Sequence, residues 1–235
     1  MTAKEVLAEL QQLGQDSIKK VLLKHGIAEP LYGVKVEELK KIQKKVKKDY
    51  ALSLELFDSG IYDAMYLAGL IADETKMTKK DLQHWAEHAK SQAISEYTVP
   101  WIAAESKYGM ELALEWIDAI EERVASSGWS TISSVVAITD DGALNINLLK
   151  TLLERIEQQV TKVPNRVKQT MNMCVISVGI YVAELNTLAK ETAKRIGKVH
   201  VDVGDTDCKI PFATDYIAKA EAKGSIGKKK KMARC

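Results

Sequence analysis

The chain contains 235 residues, which exceeds the usual domain size of about 100 to 150 residues. Hydrophobic residues make up 46% of it and charged residues 28%, so a sizeable core and a well-solvated surface are both available. No Gly/Ser-rich or Pro-rich linker divides the chain, which favours one elongated or repetitive domain. The net charge of +2 is too small to indicate a partner by itself.

Cysteine usage and hydrophobicity predict the compartment. Cys174, Cys208 and Cys235 are odd in number, far apart and without CxxC spacing, which is typical of reduced thiols. The first residues, MTAKEVLAELQQLGQ, lack the order of basic, apolar and small-residue regions of a signal peptide. Nowhere do 18 apolar residues follow one another without a charge. We therefore expect a cytoplasmic protein that does not span a membrane.

The predicted elements are almost all helices. Thr2 to Glu5 form a capping-box pattern that opens a first helix ending near Gly14, and a second helix follows before Gly26. The third predicted helix, VKVEELKKIQKKVKK, carries seven lysines and two acids around a buried stripe. Such a face is usually only solvated, but a phosphate-binding helix has the same composition. Three of these lysines are candidate DNA-binding residues: Lys40, Lys44 and Lys48.

A site-like cluster lies near the middle of the chain, in SQAISEYTVPWIAAES. Glu96 precedes Tyr97 directly, and Tyr97 and Trp101 share a face if the segment is helical. Pro100 bends or restarts the backbone between them. A carboxylate beside aromatic surface suits catalysis or a cationic ligand, but the same pattern arises where a helix crosses from core to solvent.

Just before this cluster, HWAEH places His84 and His88 four residues apart with Glu87 between them. The pattern matches the H-x-x-E-H of some zinc peptidases, but a catalytic zinc needs a third ligand that the sequence does not identify. An exposed helix face is the favoured interpretation. We expect neither a metal nor a cofactor.

Further helices follow the central cluster. Residues 126–128, Ser-Ser-Gly, predict a break before a helix that begins at Trp129. Pro164 and Asn165 open a largely apolar helix whose basic first turn contains two more candidate DNA-binding residues, Arg166 and Lys168. Helices of about 10 to 17 residues joined by short turns predict stacked antiparallel pairs, hence a curved solenoid; a compact helical bundle is the structural alternative.

The pattern changes after Gly197. Residues 198–203 alternate with period two, a turn follows, and residues 208–211 return, which predicts a β-hairpin over 198–211. We therefore divide the chain into a helical-repeat domain (1–197), the hairpin (198–211), a helix (212–223) and a basic tail (224–235). The hairpin and tail supply the remaining candidate DNA-binding residues: Lys198, Lys209, Lys228 and Lys229.

Several short stretches, in this order, resemble the bacterial DNA alkylation repair proteins, a family of HEAT-like repeat DNA glycosylases. They are Tyr32-Gly33-Val34, Leu56-Phe57-Asp58, Thr98-Val99-Pro100 and Ala125-Ser126-Ser127-Gly128-Trp129, within about residues 15 to 195. The last part, IGKVHVDVGDTDCKIPFATDYIAK, is similar to a subgroup of the family. The resemblance implies an all-α, HEAT-like solenoid whose concave basic surface holds duplex DNA.

Active members of that family hydrolyse the glycosidic bond of N-alkylated purines. The resemblance places Glu96 where they carry a catalytic Asp, and Trp129 where they carry a tryptophan. Tyr97 and Trp101 complete the aromatic surface expected around a lesion. The sequence departs from the family at Gln92, at Met173 or its neighbour Asn172, and after Trp129, where no arginine follows.

Three functions remain open. In the favoured one, the protein binds damaged, branched or distorted DNA with weak or no base excision, and the hairpin probes a groove. In the second, it is an active glycosylase that uses Glu96 to stabilise a sugar cation. In the third, it is a scaffold that binds another protein. The sequence does not determine an oligomeric state.

Overall fold

The computed structural model describes residues 1–204 and 206–234, and its regular elements are helices. The chain also forms two 3₁₀ turns, Asp141–Ala143 and Ala183–Leu185, and one π-helical turn, Ile94–Thr98. The α-helices, in chain order, are α1 Ala3–Leu13, α2 Asp16–Lys24, α3 Val36–Val46, α4 Tyr50–Asp58, α5 Tyr62–Ile71, α6 Lys79–His88, α7 Val99–Glu105, α8 Gly109–Trp116, α9 Glu122–Ile138, α10 Ile146–Gln159, α11 Asn165–Tyr181, α12 Asn186–Ile196 and α13 Ala213–Ala222.

The helices form two layers, as a helical-repeat solenoid requires. Helices α5, α7, α9, α11 and α13 pack side by side in sequence order, and we call them the inner layer. Helices α4, α6, α8, α10 and α12 each pack against their neighbours in the inner layer. Two large buried clusters fill the space between the layers, one containing Trp85 and Trp116 and the other containing Trp129. The all-α part of the predicted fold is therefore confirmed.

The β-hairpin predicted over 198–211 is wrong, because the described residues of that segment form no strand. The backbone of Asp202 bonds instead to the side-chain amide of Asn165, donating at 2.8 Å and accepting at 2.7 Å. The Asn172 amide likewise donates to the carbonyl of Pro211 at 2.9 Å. Val199 and Val201 pack against the core, so the period-two pattern reflects one face of an extended segment that lies on α11.

The helix break predicted at residues 126–128 is also wrong, because α9 runs unbroken through them. The Ser127 hydroxyl oxygen lies 3.0 Å from the carbonyl oxygen of Arg123, four residues earlier, as expected for a serine that stays within the helix. A Cβ atom on Gly128 would lie 2.7 Å from the amide nitrogen of Ile117 and 2.9 Å from the carbonyl oxygen of Ala113. The glycine is therefore required by the close approach of α8, and it does not end the helix.

Candidate nucleic-acid interface

The central cluster begins with a local change in helix type at Glu96. In the π-helical turn the amide of Val99 donates to the carbonyl of Ile94, five residues back. The next donor in this pattern is Pro100, which has no N–H, so the carbonyl of Ser95 lacks a partner within its own helix. The Ser127 hydroxyl of α9 donates to that carbonyl at 2.7 Å. Ser127 thus ties the π-helical turn to the neighbouring inner helix.

Glu96, the predicted catalytic residue, forms a bidentate ion pair with Arg166 at the start of α11. Arg166 Nε lies 2.7 Å from one carboxylate oxygen and Nη2 lies 2.6 Å from the other. The Glu96 side chain is only 5% exposed and that of Arg166 is 23% exposed. A planar guanidinium matches a carboxylate in this geometry, and charge-assisted bonds of this kind are among the strongest in proteins.

The surroundings of the pair act on both titration equilibria. Burial raises the pKa of the Glu96 carboxyl above its ordinary value, although the Arg166 guanidinium opposes that shift. Burial by itself lowers the pKa of the Arg166 guanidinium, but the bonds to Glu96 raise it by more. The guanidinium therefore stays charged. Glu122, at the start of α9, accepts the backbone N–H of Arg166 at 2.6 Å and satisfies one amide of the first turn of α11. Three inner elements therefore meet at this pair.

The predicted aromatic residues separate into two groups. Tyr97 is 54% exposed and lies 6.2 Å, centroid to centroid, from Trp101, which is 5% exposed and packs edge to face on Tyr66. Trp129 is completely buried in the core, where the guanidinium of Arg155 lies 5.7 Å from its ring centroid. The structure therefore brings Tyr97 and Trp101 to the site with Glu96, but places Trp129 in the core.

Three cavities lie along the inner layer, and together we call them the groove. A central cavity of about 330 Å³ is bordered by Glu96, Tyr97 and Trp101 and by residues of α9, α11 and α13. An α2-side cavity of about 750 Å³ shares Glu96 and Tyr97 with it and extends to the end of α2 and the segment 202–211. An α3-side cavity of about 750 Å³ lies beyond the basic tail, next to the lysines of α3. Glu96 therefore lies at the junction of two of these cavities.

Two positions at which the sequence departs from the family that it resembles, Gln92 and Met173, also lie in the groove. Gln92 borders the α2-side cavity and donates its amide to the carbonyl of His25 at 3.0 Å. Met173 borders both that cavity and the central one, whereas Asn172 is buried and bonds to Pro211. A flexible thioether and an amide therefore border the groove at these two positions.

The predicted DNA-binding residues are only partly gathered by the fold. Lys44 and Lys48 border the α3-side cavity, and Arg166 and Lys209 border the α2-side cavity. The other five, Lys40, Lys168, Lys198, Lys228 and Lys229, do not border a groove cavity in the part of the chain that the structure describes. Lys229 is already engaged, because its ammonium group lies 2.9 Å from the carbonyl of Val136 and 2.7 Å from Asp141.

The charge of the groove nevertheless differs from that of the whole chain. Basic side chains around the three cavities outnumber acidic ones nine to four, whereas the complete sequence has 34 and 32. On the opposite side, a cavity of about 760 Å³ has three acidic and two basic residues. The nine basic residues include five that were not among our candidates: Lys24, Lys47, Lys230, Lys231 and Arg234.

Arginine side chains neutralise three of the four acids of the groove. Arg166 holds Glu96, and Arg234 bonds to both Glu74 and Glu105 at 2.6 Å. The groove therefore presents lysines to solvent and little uncompensated negative charge. Local sequence carries no signal for these pairings, because the partners are separated by 70, 160 and 129 residues.

The histidine pair of HWAEH makes contacts of its own. His84 Nε2 lies 2.8 Å from a carboxylate oxygen of Asp58, and His88 Nδ1 lies 2.8 Å from the carbonyl of His84. Within residues 1–204 and 206–234, no group of three or more His, Cys, Asp or Glu side chains is arranged to hold a metal ion. Over the same residues, no single helix has the length and hydrophobicity to cross a membrane; the bent pair Asn165–Tyr181 and Ala183–Ile196 meets those two criteria together.

Comparisons with known proteins agree with this architecture. The family model described as DNA alkylation repair enzyme matches residues 6–198. Uncharacterized proteins of Listeria innocua and Listeria monocytogenes are each 33% identical to this chain over 226 residues, which covers 94% of it and 97% of each relative. A solved structure, described as "a new family of proteins related to the HEAT-like repeat DNA glycosylases with affinity for branched DNA structures", is 33% identical and covers 100% of both chains with a TM-score of 0.92.

Proposed function

The chain belongs to the DNA alkylation repair enzyme family, and on this premise we propose that it binds branched or otherwise distorted DNA and excises alkylated bases weakly or not at all. The observation that carries the proposal is the Glu96–Arg166 ion pair at the floor of a basic groove. The similarity to a structure with affinity for branched DNA supports the choice of ligand. A cytoplasmic location is part of the same proposal.

The ion pair argues against base excision on chemical grounds. A carboxylate that stabilises a developing sugar cation must present an oxygen to the reacting atoms. Both oxygens of Glu96 are instead bonded to Arg166, within 2.7 Å, and the side chain is 5% exposed. The positive charge of Arg166 at the same place would also oppose a positively charged purine or sugar. The pair therefore suits binding of a polyanion better than hydrolysis.

The basic residues of the groove supply the binding energy. Lysines that contact phosphates displace condensed counterions, so affinity falls steeply with salt and rises with the number of contacts. Lys44 and Lys209 are exposed, border different cavities of the groove and are separated by the central cluster. We expect a DNA molecule that fills the groove to contact both of them.

Base excision remains the second candidate because Glu96 borders both the central and the α2-side cavity beside Tyr97. Rotation of the Arg166 side chain would be enough to release the carboxylate toward either cavity. In that case the protein would hydrolyse the N-glycosidic bond of N3- or N7-alkylated purines, with Glu96 as the stabilising carboxylate.

A paired assay on the purified chain separates the candidates. One arm measures the release of methylated purines from alkylated duplex DNA by the wild type and by Glu96→Gln. The other arm measures binding to linear duplex and to a four-way junction at two salt concentrations, with Lys44→Ala and Lys209→Ala beside the control Lys80→Ala on the opposite side. We expect no release above background, tighter binding to the junction, and weaker binding for the two groove variants only.

Each other result contradicts the proposal in a different way. Release that disappears in Glu96→Gln would establish the glycosylase. Equal loss of binding in Lys80→Ala and in the groove variants would show that the charge of the whole surface acts, without a defined groove. Absence of any DNA binding would leave a helical scaffold for another protein.

A further inference from the structure

The basic tail, residues 224–234, is laid across the ends of the inner helices. The amide of Gly227 donates to Ile180 at the end of α11, and the amide of Lys230 donates to Ala137 at the end of α9, at 2.8 and 2.7 Å. The amide of Ala233 then bonds to the Glu105 carboxylate at the end of α7, also at 2.7 Å. The tail therefore crosses the C-terminal ends of three successive inner helices, α11, α9 and α7, where cations are favoured by the helix dipoles.

Arg234 fixes the far end of the tail. Its side chain is only 7% exposed and bonds to both Glu74 and Glu105 at 2.6 Å. It also donates to the carbonyl of Ala72 at 3.1 Å, just past the end of α5. Without this guanidinium the two carboxylates, with side chains 15% and 12% exposed, would lie side by side and the tail would lose its anchor.

The anchored tail presents a row of lysines between two parts of the groove. Lys228, Lys230 and Lys231 are exposed, whereas the ammonium group of Lys229 is bonded to the protein. Lys230 borders the central cavity and Lys231 borders the α3-side cavity. The tail therefore lies between the central cavity and the α3-side cavity, and the central cavity shares Glu96 and Tyr97 with the α2-side cavity that Lys24 and Lys209 border.

We propose that the tail is the branch-point element of the groove: its three exposed lysines bind the phosphates that converge at a DNA junction, and one duplex arm lies on each side of it. Arg234 is a positioning residue that holds this row in place. The inference rests on the proposed function and deepens it. Phosphates of two arms approach each other at a branch point, so a row of cations there is attracted more strongly than by the phosphates of one isolated duplex.

The alternative is a tail that only ties the repeats together. In that case Arg234 would stabilise the fold and the three lysines would be incidental. Two sets of variants separate these roles. Within the residues that the structure describes, the three lysines form no ion pair, and the ammonium group of Lys230 lies 5.6 Å from the Tyr181 ring centroid. The lysines can therefore be replaced while Arg234 keeps its bonds to Glu74 and Glu105.

The first variant replaces Lys228, Lys230 and Lys231 together by Ala. We expect unchanged amide exchange over residues 224–234, a loss of preference for a four-way junction over linear duplex, and a slope of log affinity against log salt reduced by up to about 2.7. The matched control replaces three exposed lysines elsewhere: Lys4, Lys80 and Lys162. Junction preference equal to that of the wild type would overturn the proposal.

The second variant, Arg234→Gln, tests the anchor. We expect faster amide exchange over residues 224–234 and a loss of junction preference similar to that of the triple lysine variant. Faster exchange with intact preference would show that the docked geometry is irrelevant and would refute the role of Arg234. If the variant unfolds, the triple lysine variant still decides the proposal.

The two-arm arrangement has its own test. Lys24→Ala with Lys209→Ala removes one side, and Lys44→Ala with Lys47→Ala removes the other. Lys48 is left in place because its ammonium group bonds to Glu74, which also holds Arg234. Each set should weaken junction binding, and a set without effect would overturn the arrangement. Wild-type protein that binds neither junction nor duplex would instead contradict the proposed function itself, so the two failures are distinguishable.

Discussion

Replacement of Arg166 by Met tests whether the Glu96 ion pair is as strong as its geometry indicates. The substitution keeps the apolar part of the side chain but leaves the Glu96 carboxylate, 5% exposed, without its two guanidinium bonds. Removal of one partner from a buried ion pair costs about 3–5 kcal/mol, because the remaining charge has neither partner nor water. Since the Arg166 side chain is 23% exposed, we expect the lower end of that range.

Urea unfolding at pH 7 measures this cost. A loss of about 3 kcal/mol lowers the midpoint by about 1 M if the slope is about 3 kcal/mol per M, as for a protein at the upper end of the usual range. The matched control is Arg195→Met, which breaks a similar arginine–glutamate contact of 2.7 Å whose side chains are 47% and 32% exposed. We expect the control to lower the midpoint much less, because the partner of an exposed pair stays solvated when the other side chain is removed.

The pH dependence of the same variant supplies an independent check. Burial raises the pKa of Glu96, and loss of Arg166 removes the main opposing effect. A carboxyl group whose pKa is higher in the folded state than in the unfolded state contributes stability below the unfolded pKa and loses it as pH rises through the folded pKa. Arg166→Met should therefore approach wild-type stability as the pH is lowered from 7 toward 5. A cost below about 1 kcal/mol that does not change with pH would refute the buried-pair argument.

Three further predictions follow from contacts outside the groove floor. Gly128→Ala should cost about 1–3 kcal/mol in urea unfolding, because its Cβ would meet backbone atoms of α8 at 2.7 and 2.9 Å, whereas Gly142→Ala, with nothing within 4 Å, should be close to neutral. Asn165→Ala should speed amide exchange at Asp202, since the two bonds that hold it at 2.7 and 2.8 Å are lost; unchanged exchange would mean that the valines alone hold the segment. Burial raises the pKa of the Cys174 thiol to about 12, so peptide mapping after alkylation at pH 8 should find Cys208 modified in the native protein and Cys174 only in denaturant.

Local signals in the sequence predicted much of the fold. The capping box predicted at Thr2 is present, because side-chain and backbone groups three residues apart satisfy each other without tertiary contacts. The apolar stripe of α10 is buried as its spacing predicts, at Leu149, Leu152 and Ile156. The membership of the family, inferred from ordered short motifs, is confirmed by the match over residues 6–198.

The errors have one physical cause, which is that tertiary contacts replaced the local ones. Apolar and polar residues alternate over 198–203, and an extended segment shows this alternation whether it pairs with another strand or lies on a helix. Here the side-chain amides of Asn165 and Asn172 form the hydrogen bonds that a partner strand would have formed. Similarly, Gly128 follows two serines in a pattern that predicts the end of a helix. The glycine is present instead because α8 approaches α9 so closely that a larger side chain does not fit.

The site illustrates the same limit. The sequence identified Glu96, Tyr97 and Trp101 as a cluster because they are neighbours in the chain. It could not show that Arg166, 70 residues away, binds both carboxylate oxygens. Nor could it show that Trp129 is turned into the core, because a tryptophan in a helix has the same local pattern on either face.

Under the proposed function, the pairing of Glu96 lets the groove bind DNA without the repulsion of a bare carboxylate. A bare carboxylate about 5.5 Å from a phosphate repels it by about 3 kcal/mol at an effective dielectric constant of 20. A glycosylase must accept that repulsion because its reaction needs the charge. A protein that only binds DNA has no such need, and a guanidinium on the carboxylate removes the repulsion. Arg234 acts in the same way on Glu74 and Glu105, so one kind of contact neutralises both the floor and the α3 side of the groove.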